Sequence, residues 1–113
     1  MSCNITTSRE FDRSLKKLAK RYRSMKDDFR TLIASLHENP RQGVELGGGV
    51  RKVRMAIASK GKGKSGGARV ITFLIYANTS GTELKLITIY DKAERENISD
   101  NEIHAILRNN GLR

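Results

Sequence analysis

Apolar residues recur at Phe11, Leu15, Leu18 and Tyr22, with Arg13, Lys16, Lys17, Lys20 and Arg21 at the positions between. That spacing predicts an amphipathic helix with one buried stripe. Thr7 followed by Glu10 fits a capping box at its start, each side chain satisfying a free backbone N–H. Ser24 and Asp27 form a second such pair ahead of Phe29, Leu32, Ile33 and Leu36, and Pro40 stops that helix. A helical hairpin is therefore expected. The period then changes: Val53, Met55 and Ile57 alternate with Lys52, Arg54 and Ala56, as on a half-buried strand. Ser59 to Gly67 reads as a loop, Arg69 to Tyr76 as a central strand, Asn78 to Gly81 as a turn, and Leu84 to Tyr90 as a further strand. Ser99 and Glu102 open a short last helix carrying Ile103, Ile106 and Leu107, which Gly111 closes. With Ile5 opening a short edge strand, the order is (β)–α–α–β–β–β–α. It predicts an α+β fold of three to five mostly antiparallel strands, with the helices on one side.

The 113 residues have the length of a single domain, 1–113. No apolar run is long enough to span a bilayer, and there is no lipid-anchor motif. Met1 to Thr7 lacks the charged-then-apolar pattern of a signal, so a cytoplasmic protein without membrane attachment is the expectation. Cys3 is the lone cysteine and reads as a bland thiol. His37 and His104 are far apart, with no Cys/His cluster, so no metal is expected. What changes the picture is charge. The net charge is +10, and it is unevenly placed. Between Arg41 and Ile75 the single acid, Glu45, faces Arg41, Arg51, Lys52, Arg54, Lys60, Lys62, Lys64 and Arg69. A basic excess confined to one segment points to a polyanionic partner, through counterion release and steering.

The segment Ala58-Ser59-Lys60-Gly61-Lys62-Gly63-Lys64-Ser65 formally fits a relaxed phosphate-binding P-loop. A P-loop must feed into a helix whose N-terminal N–H groups hold the phosphates. Here it feeds into Ala68-Arg69-Val70-Ile71-Thr72-Phe73, a strand by composition, so no nucleotide cofactor is expected. The glycines still allow close backbone approach to a phosphate, and lysines at alternate positions give a cationic rim. Arg69 stands just past the loop among apolar neighbours. It is either presented to a ligand or paired with a carboxylate, for which Asp91 is a possible partner.

The stretches FDRSLKKLAKRYRSMKDDF, ENPRQGVEL, GVRKVRMAI, GKGKSGGARVITFLI and LITIYDKAERENIS, taken together, resemble the RelE/ParE toxin superfamily. Within it they resemble the HigB-like mRNA-cleaving toxins of type II toxin–antitoxin pairs. The resemblance runs from about Ile5 to Leu112; Lys62–Arg69 with Ile89-Tyr90-Asp91-Lys92 is its specific part. It implies a microbial-RNase-like fold and a ribosome-dependent endoribonuclease that cuts mRNA in the ribosomal A site and so inhibits translation. The implied cleavage uses no metal. The ribose 2′-OH attacks the adjacent phosphate, which calls for charge stabilisation, deprotonation of the nucleophile and protonation of the leaving 5′-oxygen. By this resemblance Arg69 meets the scissile phosphate, and Lys64, with Lys62 behind it, holds phosphate or moves a proton. Lys92 is the basic residue after the last long strand. Tyr90 lies two residues earlier, on the same side of an extended chain, and is assigned to the catalytic set, the other reading being a stacking or core residue. The tyrosine of the best-known RelE-type members falls further on, near Ile98 here. Arg54, Lys60, Lys62 and Ser65 are expected to bind RNA. The resemblance also implies a cognate antitoxin, often with a helix-turn-helix domain.

Two other readings fit parts of the chain. A ParE-like inhibitor of DNA gyrase would share the fold without needing the loop lysines, Arg69 and Lys92. A non-catalytic basic RNA- or ribosome-binding module would account for the charge but leave the Tyr90/Lys92 pairing without a role.

Overall fold

The computed structural model describes residues 2–113. In chain order the elements are β1 (Ser2–Thr7), α1 (Arg9–Arg21), α2 (Met25–Glu38), β2 (Val44–Gly47), β3 (Val50–Met55), a 3₁₀ turn (Ala58–Lys60), β4 (Ala68–Asn78), β5 (Gly81–Asp91) and α3 (Asp100–Asn109). One five-stranded sheet has the order β1-β5-β4-β3-β2. Strand β1 runs parallel to β5, and every other pairing is antiparallel. The α+β class and the helical hairpin are as the periodicity predicts. The expected edge strand at Ile5 lies at one edge, opposite Leu84.

The start of α1 is fixed by Ser8 rather than Thr7. Its extended backbone (φ −82, ψ 165) lets the hydroxyl accept from the Phe11 N–H at 2.9 Å. The same hydroxyl donates to the Ile87 carbonyl at 2.6 Å, and the Ser8 N–H donates to the Leu86 carbonyl at 3.0 Å. One buried serine thus caps the helix and fastens it to β5.

The helices do not share one side of the sheet. Phe11, Leu18, Met25, Leu32 and Leu36 from the hairpin pack with Val53, Val70, Leu86 and Ile89. Ile103 and Leu107 of α3 pack with Val50, Ile71, Ile87 and Tyr90. Val70 and Ile71 are consecutive on β4, so they point to opposite faces and each face has its own core. The physical reason is burial on both sides: Ala68 to Thr72 are buried without alternation. β2 is an element the periodicity does not reveal. All four of its residues are exposed, and it pairs only with β3 across a register shift at Glu45/Gly47. Among the described residues no helix is long and apolar enough to cross a membrane.

Candidate functional site

Three strand ends and a loop converge at one end of the sheet. β3 delivers Arg54 opposite Arg69 of β4, and Arg69 stands opposite Tyr90 of β5. Arg54, Arg69 and Tyr90 therefore form a row across three strands, on the face that α3 covers further along. Lys92 follows two residues after Tyr90, and its backbone N–H donates to the Gly67 carbonyl at 3.0 Å. That bond closes the exit of the glycine-rich loop against the end of β5. Gly67 must be glycine at this crossing, because a Cβ there would lie 2.1 Å from the Met55 carbonyl oxygen.

Arg69 is only 6% exposed. Its guanidinium donates to the carbonyls of Lys64 (3.2 Å), Ala68 (3.2 Å) and Ser65 (3.0 Å). Three neutral acceptors order the side chain and the loop without cancelling the charge. Asp91 is not its partner. Register places Asp91 opposite Ala68, on the other face of the sheet from Arg69.

Tyr90 is 8% exposed, and its hydroxyl has no hydrogen-bond partner among the described residues. The Arg95 guanidinium carbon lies 5.6 Å from its ring centroid. Burial raises the phenol above its ordinary pKa, and the charges of Arg69 and Arg95 pull the other way. Lys92 is half-buried, with its ammonium on the Glu96 carbonyl at 3.3 Å. Arg95 is a residue the sequence patterns do not single out, since it lies in a turn with no periodicity. It is held there by Glu102 and by the Asn97 carbonyl, which its Nε meets at 2.9 Å.

Lys62, Lys64 and Ser65 are exposed on the loop, and Arg54 is exposed beside them. Arg54 and Lys64 border a cleft against α2 with Asp28, Ser35 and Gln42. Tyr90 and Arg95 border another with Lys17 and Arg21 of α1, where β1 stops pairing with β5 after Leu86. The fold thus brings Arg54, Arg69 and Tyr90 into one row. It links Lys64 and Lys92 to that row through the backbone of the loop rather than through their ammonium groups.

Lys60 faces inward. Its ammonium meets the Asp91 carboxylate at 2.8 Å, and its side chain is 9% exposed. Asp91, itself 2% exposed, also accepts from the Tyr22 hydroxyl and from the Ala93 N–H at 2.9 Å. Burial alone would raise the Asp91 carboxyl; the hydrogen bonds from Lys60, Tyr22 and Ala93 outweigh it and hold the group below the usual carboxylate range. Among the described residues no cluster of His, Cys, Asp or Glu gathers in a way that could hold a metal ion.

The fold and this site define a class: a small, strongly cationic α+β domain whose sheet end carries an arginine that no carboxylate among the described residues neutralises. The family model described as the RelE toxin of the RelE/RelB toxin–antitoxin system matches residues 5–110, nearly the whole chain. The chain belongs to that family. It is the toxin of a toxin–antitoxin system, and an antitoxin is its partner.

Proposed function

We propose that this toxin is a HigB-like, ribosome-dependent endoribonuclease that cuts mRNA in the ribosomal A site and thereby inhibits translation. The observation that carries the reading is Arg69, a buried guanidinium bonded, among the described residues, only to carbonyls, beside a buried tyrosine hydroxyl with no partner among them. A phosphate brought to the row receives a preorganised positive charge in a site partly shielded from water. In the proposed reaction the ribose 2′-OH loses its proton and bonds to phosphorus, and the bond to the 5′-oxygen breaks. The products are a cyclic phosphate and a 5′-hydroxyl. Arg69 stabilises charge on the phosphate oxygens, and Lys64 and Lys92 add charge or carry protons. Tyr90 stands beside Arg69 where its hydroxyl serves proton transfer or the same phosphate. Arg54, Lys62 and Ser65 hold the RNA strand. No metal or nucleotide takes part. The antitoxin, proposed to carry a helix-turn-helix domain, neutralises the enzyme in the cytoplasm.

Mapping of RNA ends with and without ribosomes tests this directly. Cleavage within codons only when ribosomes are present is the expected result, and Arg69→Gln is expected to slow it about a hundred- to a thousandfold. Inhibition of gyrase supercoiling without any RNA cut would replace the reading with a ParE-like one. Tight RNA binding without either activity would leave a non-catalytic module.

A further inference from the structure

The glycine-rich loop is anchored at both ends, and the anchors at its entry come from elements far away in sequence. The Asp28 carboxylate on α2 accepts from the Ala58 N–H (3.1 and 3.3 Å), and the Ser24 hydroxyl accepts from the Ser59 N–H (2.9 Å). Lys60 then turns in to Asp91 (2.8 Å), with its ammonium 5.5 Å from the centroid of the Tyr22 ring. At the exit, Arg69 holds the Lys64 and Ser65 carbonyls and Lys92 holds that of Gly67. Asp91 belongs to both halves. Its carboxylate takes Lys60 and the Ala93 N–H, and its carbonyl accepts from the Glu94 and Arg95 N–H groups at 3.1 Å. The residue therefore shapes the turn that carries Lys92 and Arg95, and its side chain grips the loop that carries Lys62 and Lys64.

We propose that Asp91 is a positioning residue, coupling the glycine-rich loop to the Tyr90–Lys92 segment, and that Lys60 is its buried counter-ion rather than a contact to RNA. This rests on the ribonuclease reading for its kinetic consequence but not for its structural one. A lysine 9% exposed and paired with a buried carboxylate would have to give up a desolvated ion pair to reach a phosphate. Lys62 and Lys64, exposed a few residues on, reach one without that loss. Arg21 approaches the same carboxylate at 3.6 Å and also pairs with Glu94, so α1 joins the anchor.

The test uses Asp91→Asn, Lys60→Met, the two combined, and Lys60→Arg, with Tyr22→Phe as a milder variant that keeps both charges. Hydrogen exchange of the unliganded full chain reads the anchor without reference to activity. Amides of residues 61–67 are expected to exchange at least about tenfold faster in Asp91→Asn and Lys60→Met, and less so in Tyr22→Phe. In ribosome-dependent cleavage, kcat is expected to fall about tenfold or more while KM stays within about twofold. The double variant should be no worse than the worse single one, and Lys60→Arg should recover most of the loss. A Lys60→Met variant with higher KM, unchanged kcat and a shallower salt dependence would make Lys60 an RNA contact and overturn the proposal. So would additive losses, or loop exchange unchanged by both single variants. If the wild-type chain cuts no RNA, the ribonuclease reading fails, and the exchange rates alone still decide the anchor.

Discussion

Replacing Tyr90 by phenylalanine separates what this residue does for stability from what it does for chemistry. Its hydroxyl is buried and meets no hydrogen-bond partner among the described residues, while its ring belongs to the core cluster of Ile71, Ile87, Ile98 and Leu107. Phenylalanine keeps that ring contact and removes one stranded polar atom. A buried hydroxyl without a partner costs about 1–3 kcal/mol. Tyr90→Phe is therefore expected to stabilise the fold by about 1 kcal/mol, a rise of roughly 3–6 °C in Tm for a domain of this size. Most tyrosine-to-phenylalanine changes that remove a satisfied hydroxyl go the other way. Urea unfolding followed by circular dichroism, with m checked for constancy, measures the difference. The pH dependence gives a second reading. The folded-state pKa of Tyr90 lies above the usual 10. Its neutral form is thus favoured by folding, with a contribution fully present below about pH 10 and lost as pH rises through the folded value. Wild type should therefore lose more stability than Tyr90→Phe above pH 10. Cleavage should move opposite to stability, falling about tenfold or more if the hydroxyl takes part in proton transfer. A loss of about 0.5 kcal/mol or more on Tyr90→Phe would show a satisfied hydroxyl and refute the stability argument. Undiminished cleavage would remove Tyr90 from the chemistry.

The Asp91 anchor predicts an acid dependence. Its carboxyl lies below the ordinary range in the folded chain, so its stabilisation is present above the unfolded pKa of about 3.9 and disappears as pH falls through the lower folded value. Asp91→Asn should cost about 2–4 kcal/mol near neutral pH, with the gap to wild type closing in acid unfolding titrations below about pH 4. Four residues before Asp91 on β5, Ser8→Ala removes both the α1 cap and the bond to the Ile87 carbonyl. A loss of about 1–2 kcal/mol in urea denaturation is expected, with Ser8→Thr recovering part of it.

Most of the fold is legible because the hairpin buries its stripes at a clean helical period and the two long strands are dense runs of β-branched and apolar residues between turn signals. The departures have separate physical causes. Thr7 and Ser8 both carry a hydroxyl suited to a cap; what selects Ser8 is its second bond to the Ile87 carbonyl, a contact across most of the chain. β2 buries nothing, with Val44 63% exposed, so alternation between a wet and a dry face cannot mark it. The continuous burial of Ala68–Thr72 does carry a signal, namely a strand covered on both faces. An order of elements alone places all helices on one side; that run of buried residues, Val70 facing the hairpin and Ile71 facing α3, is what puts α3 on the other.

The site was legible as an inventory more than as an arrangement. Charge density and the glycines mark the loop, and the change of period after it marks Arg69 as the first residue of substance on a strand. Which acid faces which base depends on parity, and parity depends on a register set by the Asn78–Gly81 turn and by shifts at Ile71/Thr72 and Leu74/Tyr76. A one-residue slip would put Asp91 beside Arg69 and neutralise it. In the observed register Asp91 points to the hairpin and takes Lys60, and Arg69 keeps its charge beside Tyr90. Sorting of this kind, one cation spent on a buried acid and another left with carbonyls only, is what turns a generally basic surface into a localised positive site. It also explains why the least conspicuous charge in the segment, a single aspartate at a strand end, decides which of its cations can meet a phosphate.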